Sequence, residues 1–298
     1  MEIGEKIKAI RVAKRMTQNE LAGDQITRNM LSLIENGSAL PSLPTVTYLA
    51  ERLEVPVGLL LADKEDELIY LKMINLPKIK QAFDKGEYKL CADMCDGLIG
   101  TNAEIIDDEI ALILAECHFC MAVEEFNSGR LHNSCREFDE ACCYCKKTIF
   151  RCERILCASA TYFEYMRDLS PSLVSEGDNE TYDEASLFFD PFGKYISVRK
   201  SLENGNGAIA EEYILKVTDT EKGFVGHIKA ELEMRKGNLK QARAILEQLI
   251  SGDYLSCRTI MYDVFNSMEQ CCRELGDYKS AYEYSVGKVE LLEYMLKY

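Results

Sequence analysis

Four times in this chain a glycine is followed two residues later by tyrosine or leucine and five residues later by a small side chain. The sets are Gly86, Tyr88 and Cys91; Gly129, Leu131 and Ser134; Gly237, Leu239 and Ala242; and Gly276, Tyr278 and Ala281. Each residue in such a set has its own task. Glycine lets one helix turn sharply into the next, the tyrosine or leucine plugs the pair, and the small residue lets the two helices approach closely. The sets recur at intervals of 43, 108 and 39 residues. The long middle interval leaves room for about two further degenerate units. It also holds the least regular stretch of the chain, residues 170–195.

Composition agrees with a chain of helix pairs. Six prolines, 18 glycines and no tryptophan in 298 residues leave little room for a β-rich or low-complexity fold. At 47% hydrophobic and 29% charged, the chain suits a soluble globular protein of one large or two smaller domains. It contains no run of about 18 apolar residues, and its start, MEIGEKIKAIRVAKR, lacks the apolar stretch of an export signal. We therefore expect a cytoplasmic protein with no membrane partner. From about residue 66 onward the pattern resembles tetratricopeptide repeats, which implies an α-solenoid over that part of the chain.

The first 63 residues differ and read as five short helices. Ile3, Ile7 and Ile10 form an apolar stripe at helical spacing, with Lys6, Lys8, Arg11, Lys14 and Arg15 expected to remain available outside it. Thr17 and Glu20 make a capping box that starts a second helix, and Gly23 falls where that helix ends. Thr27 is the expected N-cap of a third helix running to Asn36 and Gly37. Ser42, Leu43 and Pro44 open a fourth, with Val46, Leu49, Ala50 and Leu53 on one face. A fifth lies around Val57–Leu61. Two short helices with hardly a loop between them, at Thr17 and Thr27, make a helix-turn-helix, a device for placing one helix in a groove of DNA.

Charge and cysteine content narrow the function. The formal net charge is −15, but residues 1–63 hold seven basic and eight acidic side chains, so nearly all of the excess lies beyond them. An acidic body repels phosphate, so any nucleic acid must meet the N-terminal part. Thirteen cysteines without an export signal are expected to be reduced thiols. Cys117, His118, Phe119 and Cys120 resemble half a zinc site, yet no second well-spaced pair completes it. Most cysteines fall at helical spacings, where the thiol packs as a small hydrophobe. We expect neither metal nor cofactor. No enzyme is expected either, since His118, His132 and His227 show no partnered nucleophile and no glycine-rich phosphate loop occurs.

On the third helix Leu31 and Ile34 are expected inward, leaving Arg28, Asn29, Ser32 and Leu33 for a groove. Arginine pairs with guanine, asparagine with adenine, and Leu33 can meet a thymine methyl. Gln18 heads the second helix, where its amide and the free backbone N–H groups can meet a phosphate. Asn36 is placed for backbone contact. Residues 3–61 resemble the Cro/CI-type (XRE) helix-turn-helix domain of phage repressors, on Thr17, Gln18, Leu21, Ala22, Leu31, Ser32, Ile34, Glu35, Asn36, Gly37, Pro41, Ser42, Leu49, Ala50 and Leu53. The resemblance implies that Gln18 and Asn36 hold the DNA backbone while Arg28, Asn29, Ser32 and Leu33 face bases. Leu33 departs from the polar residue often found there. A module of this core that serves only dimerisation or scaffolding is the alternative.

A domain of this kind followed by tetratricopeptide-like repeats resembles the Rgg/PlcR-type peptide-responsive regulators. That resemblance implies a homodimer on double-stranded DNA with two-fold-related half-sites, and a concave repeat face that takes a short signalling peptide. The expected fold is all-α: residues 1–63 as the helix-turn-helix domain, 64–78 as a linker helix, and 79–298 as the repeat domain for sensing and dimerisation. In the last repeat Phe265, Met268, Cys272 and Leu275 match the packing positions, which puts Asp263, Asn266 and Gln270 on the groove face. An ordinary solvated face is the other reading of that trio. Two further functions stay open: a ligand-independent interaction, scaffold or toxin-neutralising protein, and a cysteine-based redox-responsive regulator.

Overall fold

The structure, a computed structural model, describes residues 2–99, 107–174, 190–216, 222–252 and 257–297. Within these the chain forms sixteen α-helices and no strand. It divides into two compact units, Met1–Ile105 and Ile106–Tyr298.

The first unit opens with five short helices: α1 (Ile3–Ala13), α2 (Gln18–Ala22), α3 (Arg28–Glu35), α4 (Leu43–Arg52) and α5 (Val57–Leu61). Their ends follow the local chemistry. Thr17 accepts from the Glu20 amide at 3.2 Å while Glu20 accepts from the Thr17 amide at 2.7 Å, closing the capping box. Thr27 accepts from the Met30 amide at 3.1 Å, and Ser42 caps α4. Gly23 takes φ +55°, a conformation open to glycine, and the Tyr48 hydroxyl lies where a Cβ would stand. The core between these helices is Ile7, Leu21, Leu31, Ile34, Val46, Leu49, Ala50, Leu53 and Leu60.

Two more helices complete this unit: the long α6 (Lys64–Asp84) and the shorter α7 (Tyr88–Asp96). The domain boundaries expected at residues 63 and 78 fall at the start of α6 and inside it.

The second unit comprises α8 (Asp108–Asn127), α9 (Leu131–Cys145), α10 (Glu153–Leu169), α11 (Pro191–Glu203), α12 (Gly207–Lys216), α13 (Lys222–Arg235), α14 (Leu239–Ser251), α15 (Met261–Glu274) and α16 (Tyr278–Lys297). Every expected glycine hinge is present: Gly86, Gly129, Gly237 and Gly276 have φ between +76° and +80°. The small residues five positions on, Cys91, Ser134, Ala242 and Ala281, are buried where the paired helices meet. A fifth hinge joins α11 to α12 at Gly205, φ +83°, with Ala210 buried five residues later. Sequence reading missed it because position two of that set is Gly207. Of the least regular stretch, residues 175–189 lie outside the described residues; α11 begins at Pro191, capped by Asp190.

Aromatic rings fill the centre of the second unit. Phe126, Phe138, Tyr162 and Phe192 meet at centroid distances of 4.5 to 4.8 Å. The segment ahead of α15 closes back on the end of α8: the Arg258 amide donates to the Asn127 carbonyl at 2.7 Å, and the Thr259 hydroxyl donates to the Phe126 carbonyl.

Candidate functional site

Helix α3 is anchored by an ionic lock that joins the first three helices. Arg11 on α1 donates from Nε and Nη2 to the two Glu35 carboxylate oxygens at 2.6 and 3.0 Å, and from Nη1 to the Met16 carbonyl at 2.8 Å. Gln18 on α2 donates to the same carboxylate at 2.8 Å. The Glu35 side chain is 1% exposed. Burial pushes its pKa up, but the hydrogen bonds from Arg11 and Gln18 and the Arg11 charge outweigh it and hold the carboxyl below its ordinary value. A charge-assisted, bidentate pair is directional, so it sets the angle of α3 as well as stabilising it. Gly4 lies so close to the Ile34 carbonyl that a side chain there would collide with it.

With Leu31, Ile34 and Glu35 buried, the remainder of α3 forms a continuous outward face. At 3.6 residues per turn, Arg28, Ser32, Asn36, Asn29 and Leu33 follow one another around it. Thr27, Arg28, Asn29 and Asn36 are exposed, Ser32 is half-buried, and Leu33 is 49% exposed. Gln18 is half-buried at the start of α2, its amide nitrogen engaged with Glu35. This tie to Glu35 escaped the sequence reading; the only signal was an acidic residue next to Ile34 on an otherwise inward face.

The expectation that Lys6, Lys8, Arg11, Lys14 and Arg15 all stay available outside the first apolar stripe is corrected. Lys6 is 2% exposed, and its ammonium donates to the Ala62 carbonyl at 2.7 Å, satisfying the end of α5. Arg11 belongs to the lock, and Lys14 pairs with Glu54 at 2.7 Å. Lys8 and Arg15 are exposed.

A second site lies in the repeat unit. A cavity of about 250 Å³ opens between α10, α11 and α15, lined in part by Tyr165, Ile196, Arg199, Tyr262 and Asp263. Arg199 forms its hub. It pairs with Asp263 at 3.0 Å and with Glu231 on α13 at 3.2 Å, and its guanidinium lies 5.6 Å from the centre of the Tyr195 ring. Tyr165 donates to Asp263 at 2.7 Å. Beneath this, His227 is fully buried, with Nδ1 2.7 Å from the Tyr195 hydroxyl and Nε2 2.9 Å from the Ser267 hydroxyl. Burial first, and the Arg199 charge second, push its pKa down to about 3. The floor is a fixed arginine over a neutral histidine.

The groove trio is divided. Asp263 lines the cavity, 8% exposed. Asn266 accepts from Lys288 on α16 at 2.9 Å, and Gln270 donates to Glu274 at 3.0 Å; neither lines the cavity. All thirteen cysteines are free thiols. Where their pKa values move they move up, as burial dictates, reaching about 12 at Cys95, Cys135 and Cys257. His118 of the half zinc motif pairs instead with Glu137 at 2.8 Å and stacks on Tyr144. Among the described residues no group of His, Cys, Asp and Glu is arranged to hold a metal ion, and no helix is long and apolar enough to cross a membrane.

Residues 7–60 match the helix-turn-helix family, and this segment is a helix-turn-helix domain, the module of DNA-binding regulators. No curated protein matches the chain. Among solved structures it is similar to Bacillus thuringiensis PlcR in complex with the peptide PapR7 and DNA, at 15% identity over 100% of this chain and 97% of that one, with a TM-score of 0.28. It is similar also to Streptococcus vestibularis ComR in complex with its cognate signalling peptide XIP, at 16% identity over 97% and 98% of the two chains, TM-score 0.25. The pheromone receptor Rgg2 of Streptococcus dysgalactiae gives 13% identity over 97% and 99%, TM-score 0.21.

Proposed function

We propose that this chain is a cytoplasmic transcriptional regulator. It reads two-fold-related half-sites in double-stranded DNA as a homodimer, and its repeat unit senses a short peptide. The observation that carries the reading is the outward face of α3, which presents Arg28, Asn29, Ser32 and Leu33 while Arg11, Gln18 and Glu35 hold the helix rigid behind them. Rigid presentation keeps side chains aligned with base edges without an ordering cost at each contact. In this reading Arg28 and Asn29 read bases, Ser32 and Leu33 complete the base-facing surface, and Thr27, Gln18 and Asn36 position the DNA backbone. One N–H and the carbonyl oxygen of the Gln18 amide remain for a phosphate or water beyond its bond to Glu35.

Peptide sensing is supported by the cavity beside Arg199 and Asp263, whose fixed donors and acceptors suit a peptide backbone and whose Ile196 and Tyr262 suit an apolar side chain. Asp263 is the groove residue that belongs to this site. The upward-shifted thiols give the redox reading no support.

The test is a footprint on the DNA flanking the protein's own gene, followed by titration of wild type and Arg28→Ala against operator and random duplexes. Two protected half-sites about one helical turn or a multiple of it apart are expected, with Arg28→Ala losing about 1–3 kcal/mol of discrimination. Unchanged operator preference in Arg28→Ala sinks the assignment of base reading to this face.

A further inference from the structure

Between α9 and α10 the chain exposes large apolar side chains where turns ordinarily carry small or polar ones. Ile149 is 84% exposed and Phe150 48% exposed, consecutive in the stretch 146–151. Lys146, Lys147 and Arg151 flank them, and all three are exposed. Hydrogen bonds hold the pair in place. The Thr148 hydroxyl donates to the Asp108 carbonyl at 3.0 Å, and the Ile149 amide donates to the Asp108 carboxylate at 3.0 Å. The Phe150 amide donates to the Thr148 hydroxyl oxygen at 3.2 Å, and the Cys152 thiol to the Phe150 carbonyl at 3.5 Å. Anchors fixed before contact lose little freedom on binding. No residue of this stretch lines the Arg199 cavity.

We propose that residues 146–151 are a docking surface for an acidic protein segment that carries apolar side chains. Ile149 and Phe150 are the anchors, and Lys146, Lys147 and Arg151 face the segment's carboxylates, an apolar contact within a polar rim. Charge selects this occupant. Nearly all of the acidic excess of the chain lies beyond residue 63, yet three cations crowd into this short stretch. Lys147 lies over the Tyr144 ring, 4.8 Å from its centre, and neither it nor Lys146 joins an ion pair among the described residues. Arg151 reaches Glu153 only at 3.9 Å, the Arg151 side chain being 90% exposed. DNA offers phosphates but little to cover Ile149 and Phe150. An anionic bilayer would cover them, but its extended surface would also face Asp108, Glu153 and the acidic surroundings. A protein segment meets the anchors and the cations alone.

The experiment is fluorescence anisotropy of the full-length protein with a labelled amphipathic peptide of glutamate, alanine, leucine and phenylalanine, at low and raised salt. Wild type is expected to bind it, more weakly as salt rises. Ile149→Ser with Phe150→Ser, and separately Lys146→Glu with Lys147→Glu, are each expected to weaken binding ~10-fold or more. Ile149→Ser alone, at a side chain that is 84% exposed and so supports little packing, is expected to show part of that loss. Lys240→Glu with Lys279→Glu makes the same change of charge at exposed positions elsewhere, and is expected to leave binding within about twofold. Binding lost equally in that remote variant, or kept in both loop double variants, overturns the surface. A wild type that does not bind the peptide overturns the proposal. Loop-dependent binding of phosphatidylglycerol vesicles or random duplex DNA in its place overturns the occupant.

Discussion

Replacing Arg11 with methionine keeps most of the side-chain volume and removes the guanidinium that holds Glu35. Three hydrogen bonds disappear, two of them to a carboxylate whose side chain is 1% exposed. Removing one partner of a buried ion pair costs about 3–5 kcal/mol, because the other charge is left uncompensated. Gln18 still donates one hydrogen bond to Glu35, so the lower end, about 3 kcal/mol, is expected. At about 1.4 kcal/mol per decade, that is a loss of roughly two powers of ten in the hydrogen-exchange protection of α1 and α3 amides. The pH dependence supplies a second, independent sign. In wild type the depressed Glu35 contributes stability that is fully present above the unfolded carboxylate value of about 4.3 and lost as pH falls through its lower folded value. Without Arg11, desolvation is the largest influence left and raises the Glu35 pKa above the unfolded value. The variant should then regain protection as pH falls from 7 toward 5, where wild type is flat. Adding Glu35→Gln should recover part of the loss at neutral pH. A loss below about 1 kcal/mol, or no gain on acidification, would refute the account of α3 as held by a buried ionic lock.

Three further outcomes are expected. Gln18→Ala should weaken operator and random DNA alike in anisotropy titrations and leave the salt slope unchanged, since no charge is lost. Phe126 is fully buried against Tyr162, Tyr165 and Phe192, so Phe126→Ala should cost the second unit about 3–5 kcal/mol in urea titration. His227, held near 3 in the fold against about 6.5 in the unfolded chain, takes up its proton on unfolding throughout that range. The second unit should therefore lose up to ~1.4 kcal/mol per pH unit as pH falls from 6 to 5, and His227→Phe should flatten that slope.

Much of the architecture was readable in advance because it is decided within a few residues. A threonine that can accept from the third amide of a helix caps that helix wherever it sits, as Thr17 and Thr27 do. A glycine can take a positive φ that other residues resist, so Gly86, Gly129, Gly237 and Gly276 announce their hinges. The outward face of α3 follows from helical period alone once Leu31 and Ile34 are taken as core.

What the chain could not announce is which distant groups meet. Lys6 looked like a free base, and its burial depends on the carbonyl of Ala62, 56 residues away. Asn266 and Gln270 shared a helical face with Asp263, yet only Asp263 lines the cavity, where it meets Arg199 on α11 and Tyr165 on α10. Caps, turns and stripes are local free energies that survive averaging over tertiary context. The pairing of polar groups across helices depends on how backbones stack, and burial then decides whether a charge is solvated or must find a partner. Helix content, four of the five hinges and the candidate recognition face were thus legible in the sequence alone. The ionic lock at Glu35 and the Arg199 hub exist only because tertiary packing settled which side of each helix water would reach.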